Sequence, residues 1–143
     1  VSINGEKKPF PALNEVLFAH KNPAATSKYT IRIGEKQEVQ RSSGVWVATA
    51  AGSSGAIMSA GGHLQDMEAP GLQYRVREKF LSPLDASEHS LLGGDLPKGH
   101  IEFIDHMFNG AVFLDGMRGM YETGYWSRIA ISSDGPKLSM FLR

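Results

Sequence analysis

Short apolar segments separated by glycine-rich turns run along the chain and predict β-strands. The alternation is clearest at residues 29–33, where Tyr29, Ile31 and Ile33 alternate with Thr30 and Arg32. We expect about nine strands in a mainly β, two-sheet sandwich-like fold. The predicted strands are residues 13–19, 29–33, 37–41, 45–48, 73–78, 100–104, 111–114, 126–132 and 137–142.

Turn residues predict how these strands connect. Asn109-Gly110 is a strong hairpin signal and predicts that residues 100–104 pair with residues 111–114. Asp115-Gly116 marks a second turn, and residues 133–136 would join the last two strands as a pair. Residues 81–98 are rich in Ser, Gly, Pro and Asp without periodicity, which predicts a long loop that includes Gly93-Gly94-Asp95-Leu96.

Residues 41–62, RSSGVWVATAAGSSGAIMSAGG, carry the strongest local signal. The strand at 45–48 breaks at Gly52, and Ser53 or Ser54 is expected to cap a short helix over residues 55–60. Gly61-Gly62 would end this helix. The turn is expected to leave N–H groups pointing outward, which suits a ligand with phosphates, sugar hydroxyls or base edges. The alternative is a turn of small residues selected only for close packing.

Composition restricts the possible partners and compartments. The 143 residues fit one domain, and 15 basic residues balance 15 acidic ones, so we expect neither a nucleic-acid nor a membrane partner. The absence of Cys excludes disulfides and agrees with a cytoplasmic location. No apolar run reaches the length of a membrane span. Val1 stands where a Met would begin a chain, which suggests part of a longer protein.

Several known nucleotide and metal motifs do not occur. The chain has neither G-x-x-x-x-G-K-[ST] nor a G-x-G-x-x-G that follows a strand, so a P-loop and a Rossmann crossover are both excluded. The five histidines show no metal-ligand spacing, and no metal site is predicted. Nucleotide binding would therefore use another geometry.

A set of ordered motifs resembles the C-terminal domain of the NAD kinase family over almost the whole chain. The set comprises residues 12–16 (ALNEV), the turn 49–54 (TAAGSS), residues 59–62 (SAGG), Asp115-Gly116, Ile131-Ser132 and Lys137-Leu138. Further details are most similar to the plant-type NADH kinases: Ala19-His20, Pro23-Ala24, residues 41–44 (RSSG) and residues 76–78 (VRE).

The resemblance implies a two-domain, homo-oligomeric enzyme, a dimer or tetramer. An ATP-dependent kinase of this family phosphorylates the adenosine ribose 2′-hydroxyl of NAD or NADH to give NADP(H). Residues 1–143 would form the single dinucleotide-binding and oligomerisation domain. An N-terminal α/β domain, with a Gly-Gly-Asp-Gly loop that meets ATP and Mg²⁺, is absent from this chain, which is therefore expected to lack the catalytic base and to be inactive alone.

The resemblance also assigns binding residues. Asn14 and Glu15 would hold ribose hydroxyls, and the turn would contact adenine and ribose. The full set of implied dinucleotide-binding residues is Asn14, Glu15, Thr49, Ala51, Gly52, Ser53, Ser54, Gly55 and Ser59. Two positions depart from the pattern. Ala56 replaces an aromatic residue found in many members, and Ser43 replaces an Asp. The plant-type branch shares this serine, which favours NADH as substrate.

Two functions other than dinucleotide phosphorylation are also compatible with the sequence. A non-catalytic β-sandwich interaction or regulatory module could keep this fold after losing the ligand, and Ser43 and Ala56 agree with that view. The related C-terminal domain of lipid kinases is the other, and it ranks lower because the Asn-Glu and Gly-Ser-Ser pattern suits a dinucleotide better than an acyl chain.

Overall fold

The computed structural model describes residues 1–84 and 88–139 and consists of two antiparallel sheets of six strands each. Sheet A contains, in spatial order, β2 (Glu6–Lys7), β1 (Ser2–Ile3), β12 (Arg128–Ser132), β9 (His100–Asp105), β4 (Ser27–Ile33) and β5 (Lys36–Ser42). Sheet B contains β11 (Gly119–Thr123), β10 (Gly110–Leu114), β3 (Glu15–His20), β6 (Val45–Ala48), β7 (Leu72–Val76) and β8 (Gly93–Leu96). The mainly β, two-sheet fold predicted from the sequence is confirmed.

The core lies between the two sheets, because alternate residues of each strand point inward. Three fully buried aromatic side chains form its centre: Phe18 of β3, Tyr29 of β4 and Phe103 of β9. Their ring centroids lie 5.1–5.9 Å apart in tilted and edge-to-face arrangements, which aromatic pairs prefer. The Tyr29 hydroxyl is bonded to Ser42 Oγ at 2.8 Å, so its polar end is satisfied inside the core.

The single helix of the described residues, α1, spans Ala56–Ser59 and packs against β6. It ends as predicted: the Gly62 N–H donates to the Ile57 carbonyl at 2.9 Å, and Gly61 has a φ of +90°. The predicted start is wrong. The N-cap is Gly55 with no side-chain cap, because the buried Ser53 hydroxyl instead donates to the Ala50 carbonyl at 2.7 Å.

The hairpin predicted between residues 100–104 and 111–114 does not form. β9 belongs to sheet A and β10 to sheet B, so the chain crosses between the sheets at residues 106–109. The buried Asp105 carboxylate directs this crossing, since it accepts hydrogen bonds from the Met107 N–H at 2.7 Å and from the Thr123 hydroxyl. Asn109-Gly110 is therefore part of a crossover between layers.

Two other predictions also differ from the structure. The last strand, β12, pairs with β9 and β1, while residues 137–139 form no strand and residues 140–142 lie outside the described residues. The predicted loop at 81–98 contains β8, which pairs with β7 although two of its four residues are glycines. With β1, β2 and β11, which the sequence did not predict, the described residues form twelve strands. No helix among them is long and apolar enough to cross a membrane.

Candidate functional site

Sheet B brings two of the predicted motifs together at one end. β3 begins at Glu15 and β6 ends at Ala48, and these two residues face each other in the antiparallel ladder. Asn14 and Thr49, which flank them, therefore meet at the same end, where the Thr49 N–H donates to the Asn14 carbonyl at 2.9 Å. The structure thus places Asn14, Glu15 and Thr49 side by side.

Asp115, in the turn between β10 and β11, fixes the backbone of this site. Its carboxylate accepts hydrogen bonds from three consecutive N–H groups, those of Leu13 at 2.8 Å, Asn14 at 2.7 Å and Glu15 at 3.1 Å. The Asp115 N–H in turn donates to the Glu15 carbonyl at 3.0 Å. Charge-assisted bonds of this kind are about twice as strong as neutral ones. Asp115 is therefore a positioning residue for Asn14 and Glu15.

The turn after β6 is packed against the Asn14 backbone. Gly52 is buried there, and a Cβ at this position would collide with the Asn14 carbonyl group, so only glycine fits without a shift. The Thr49 hydroxyl donates to the Leu13 carbonyl at 2.6 Å. These contacts join the turn to the residues that precede β3, which agrees with the close-packing interpretation of the small residues.

The hydrogen bonds within the turn correct one expectation. The N–H groups of Gly52, Ser53 and Gly55 donate to carbonyls of Thr49, Ala50 and Gly52 at 2.9–3.2 Å, so these three donors do not point outward. The Ser53 hydroxyl is buried, and besides its bond to Ala50 it accepts the Gln65 N–H at 3.0 Å. Its side chain is thus committed to the fold.

The remaining predicted residues are accessible. Ser54, Gly55 and Ser59 are exposed, and Ala51 is half-buried. Gly55 lies next to Glu15, since a Cβ built on it would be 3.5 Å from Glu15 Oε2. Ala56 is exposed on α1. Ser43 precedes β6, so the full length of this strand separates it from Thr49.

Glu15 has an environment that alters its proton affinity. The side chain is half-buried, and this burial raises the pKa of the carboxyl group above its usual value. The nearby Asp115 carboxylate raises the pKa of Glu15 further by repulsion. A carboxylate with a raised pKa accepts a hydrogen bond or a proton more readily, which suits contact with ligand hydroxyls.

A cleft of about 520 Å³ opens between the sheets at this end. Its inner wall is apolar and is formed by Val16, Val47, Leu72 and Ile131. Asn14, Glu15 and Thr49 also line the cleft, together with the cations Lys7, Lys8 and Lys137. Such a site, apolar inside with a few polar groups, is typical of small-molecule binding. The other six predicted site residues lie outside its lining: Ala51, Gly52, Ser53, Ser54, Gly55 and Ser59.

Asp115 and the lysines were not among the predicted site residues. Asp115 was recognised as part of a turn, but its distance of about 100 residues from Asn14 hides the contact from any local pattern. The described residues contain no group of three or more His, Asp or Glu side chains placed to hold a metal ion.

Comparison with known proteins supports the resemblance found in the sequence. No model of a known protein family matches the chain. It is 39% identical to a probable NADH kinase of Oryza sativa subsp. japonica over 149 aligned positions, which cover 99% of the chain and 45% of that protein. It is 38% identical to an NADH kinase of Arabidopsis thaliana over 103 positions, 71% of the chain and 32% of that protein.

Two solved structures share the fold. Yeast NADH kinase complexed with NADH superposes with a TM-score of 0.69 at 20% identity, over 85% of this chain and 34% of that one. An NAD kinase from Archaeoglobus fulgidus in complex with ATP gives 0.68 at 21% identity, over 86% of this chain and 46% of that one. The present chain spans less than half the length of each of these four proteins.

Proposed function

As a sequence relative of plant NADH kinases, this chain falls within the NAD kinase family, and we propose that it forms the dinucleotide-binding part of an ATP-dependent NAD(H) kinase. That enzyme would transfer the γ-phosphoryl group of ATP to the 2′-hydroxyl of the adenosine ribose. The observation that carries the proposal is the Asp115 carboxylate, which holds Asn14 and Glu15 side by side at the cleft.

The chemistry of these two side chains suits a ribose. The Asn14 amide can both donate and accept hydrogen bonds, and the Glu15 carboxylate can accept from two hydroxyl groups. Thr49 would act through the backbone, since its hydroxyl donates to the Leu13 carbonyl. Ser54 and Gly55 supply an accessible surface beside Glu15 for the adenosine. Ala51 and Ser59 extend this surface, and Gly52 and Ser53 support it from below.

ATP and Mg²⁺ are assigned to no residue of this chain. Proteins usually hold Mg²⁺ through one or two carboxylates together with substrate phosphates, so Mg²⁺ would be bound with ATP by the remainder of the enzyme. Phosphoryl transfer depends on positioning and on neutralising charge, and this part of the enzyme would position the acceptor hydroxyl. We propose NADH as the preferred acceptor, on the basis of Ser43 and of the two plant relatives.

Calorimetric titration of the purified chain with NAD, NADH, NADP, NADPH and ATP tests the proposal. We expect saturable binding of a dinucleotide that is lost in Asn14→Ala. Asn109→Ala is the matched control, because Asn109 is exposed at the opposite end of sheet B and its replacement should leave affinity unchanged. Equal binding by wild type and Asn14→Ala would remove this site from the proposal.

The alternative is a non-catalytic interaction module. It is favoured by the inward-turned hydroxyls of Thr49 and Ser53, which leave the turn with fewer groups for a ligand. Absence of affinity for every nucleotide, in the chain and in the full-length protein, would support this alternative and contradict the kinase proposal.

We also propose that the chain forms homo-oligomers through the outer face of sheet B. Four apolar side chains lie in register across its strands there: Met120 of β11, Phe113 of β10, Leu17 of β3 and Trp46 of β6. The outer face of a sandwich is normally polar, so an apolar row favours contact with a second copy. Sedimentation equilibrium should show a dimer or tetramer that Leu17→Asp converts to monomer, and a monomeric wild type would contradict this.

A further inference from the structure

The outer face of sheet A carries an aromatic and basic row that runs from β5 and β4 to residues just after β9 and just before β12. Lys28 of β4 is paired with Arg41 of β5. On the other side of Lys28 lies His106, whose N–H donates to the Lys28 carbonyl at 3.0 Å. Trp126 continues the row, with its indole 5.1 Å from the His106 ring. Together with the neighbouring Arg128, these residues are called the basic–aromatic face.

The charge on this face is one-sided although the whole chain is neutral. Lys28, Arg41 and Arg128 are all exposed. Among the described strand residues on the outer side of sheet A, Glu102 is the one carboxylate, and it lies 3.2 Å from His100 and 4.0 Å from Arg128. No described carboxylate lies within 4.0 Å of the Lys28 ammonium group. A zero net charge thus conceals a local positive surface.

Three aromatic side chains at one end of the basic–aromatic face are exposed to solvent. Trp126 is 61% exposed, and next to it Tyr125 and Phe108 are 45% and 83% exposed, with their rings stacked at 5.2 Å. Trp126 has a φ of +69°, which is uncommon for a bulky residue. The Trp126 N–H donates to the Asp105 carbonyl at 2.7 Å, and this bond holds the strained turn in place. Strain of this kind often marks functional positions.

We propose that the basic–aromatic face binds single-stranded nucleic acid. Lys28, Arg41 and Arg128 would neutralise phosphates, and a base would stack on the open side of the Trp126 indole. An open sheet surface suits a single strand of nucleic acid that makes many weak contacts. It does not fit the major groove of a duplex, which takes a protruding helix or ribbon. The face lies far from the dinucleotide site, since β3 runs from Glu15 at that site to His20 at this end.

Fluorescence anisotropy with a labelled oligouridylate of about 12 nucleotides tests the proposal. We expect binding that weakens as salt rises from about 50 to 200 mM. Trp126→Gly should weaken it about tenfold, and glycine accepts the left-handed backbone so that the turn is kept. Lys28→Ala should weaken binding and lower the slope of log affinity against log salt concentration by about one. Lys36→Ala, an exposed lysine in the hairpin at the far end of β5, should change neither.

Three results would overturn the proposal. The first is no binding of the oligonucleotide at low salt. The second is binding that Trp126→Gly and Lys28→Ala leave unchanged. The third is binding to phosphatidylserine vesicles that these variants reduce, without affinity for the oligonucleotide, which would make the face a membrane contact. Lys28→Ala replaces an exposed side chain, so its result stands even if Trp126→Gly fails to fold.

Discussion

Asp115 fixes the backbone of the candidate site although its side chain does not line the cleft. Asp115→Ala would leave the N–H groups of Leu13, Asn14 and Glu15 without their acceptor. We expect the free energy of unfolding to fall by about 1–3 kcal/mol and dinucleotide affinity to fall with it. Urea titration measures the first quantity, and Glu35→Ala, in the exposed turn between β4 and β5 and outside the cleft lining, is the control. Unchanged stability and affinity would show that the three bonds are dispensable.

Glu15→Gln separates a binding role from a structural one. Because burial and Asp115 raise the pKa of Glu15, the folded chain holds this proton to a higher pH than the unfolded chain. The stability that Glu15 contributes is therefore full at acidic pH and is lost as pH rises through its folded pKa. Near neutral pH we expect Glu15→Gln to be at least as stable as wild type, whereas dinucleotide affinity falls about 10- to 100-fold.

Thermal melts from about pH 4 to 8, combined with calorimetry, measure both properties of this variant. The test is specific because stability should be kept while dinucleotide affinity falls, whereas loss of a structural residue would lower stability and affinity together. Glu122→Gln, on the exposed part of β11, is the matched control and should leave binding intact. Affinity equal to wild type would exclude Glu15 from the site.

At the scale of elements, the sequence predicted the strands with a clear apolar pattern. β4 and β6 were placed within two residues of their observed bounds. Apolar residues alternate with polar ones in β4, and β6 is a continuous apolar, β-branched run. β1 and β2 have two residues each, too few to show a period. β8 was missed because Gly93 and Gly94 have low strand propensity, and its pairing with β7 overrides that preference.

The candidate site was predictable in part, and only through a resemblance. Asn14, Glu15 and Thr49 were predicted to share one binding site, and the structure places them side by side, while their role in binding stays a prediction. The inward direction of the Thr49 and Ser53 hydroxyls depends on carbonyls that the fold brings close. The cleft between the sheets includes residues from both ends of the described chain, such as Lys7 and Lys137. Sequence spacing carries no information about such distant neighbours.

A latch of hydrogen bonds fastens residues 90–91 to β5, the edge strand of sheet A. Glu38 accepts bonds from the Ser90 N–H at 2.8 Å, the Ser90 hydroxyl at 2.7 Å and the Leu91 N–H at 3.1 Å. Burial raises the pKa of Glu38, but the hydrogen bonds from Ser90, Gln40 and Leu91 outweigh it and bring the pKa to about 2. The latch covers part of an edge that could otherwise pair with another chain.

Glu38→Gln should open this latch. The lowered pKa means that the contribution of Glu38 to stability is present above about pH 4.5 and is lost as pH falls toward about 2. We expect the variant to be about 1 kcal/mol less stable at neutral pH, and this difference to shrink as the solution is acidified. Urea titrations at several pH values measure it, with Glu35→Gln in the exposed turn as control. A difference independent of pH would contradict the latch.

For the whole molecule, the interleaving of the two sheets makes folding a single event. Sheet A takes strands from both ends of the chain, and β12 lies in its middle between β1 and β9. Ile129 and Ile131 of β12 are buried in the core. A chain shortened to residues 1–123 should therefore be unfolded, rather than keep sheet B alone. Circular dichroism with thermal melting tests this, and a cooperative transition in the fragment would contradict it.

The sequence separation between Asp115 and the residues it binds also determines when the candidate site can form during synthesis. Asn14 leaves the ribosome about 100 residues before its carboxylate partner does. At a synthesis rate of about 5–20 residues per second, this interval lasts roughly 5–20 s. During that time the N–H groups of Leu13, Asn14 and Glu15 are without the acceptor that they have in the folded state. A nascent chain thus acquires its candidate site only after Asp115 has been synthesised, whatever order its strands form in.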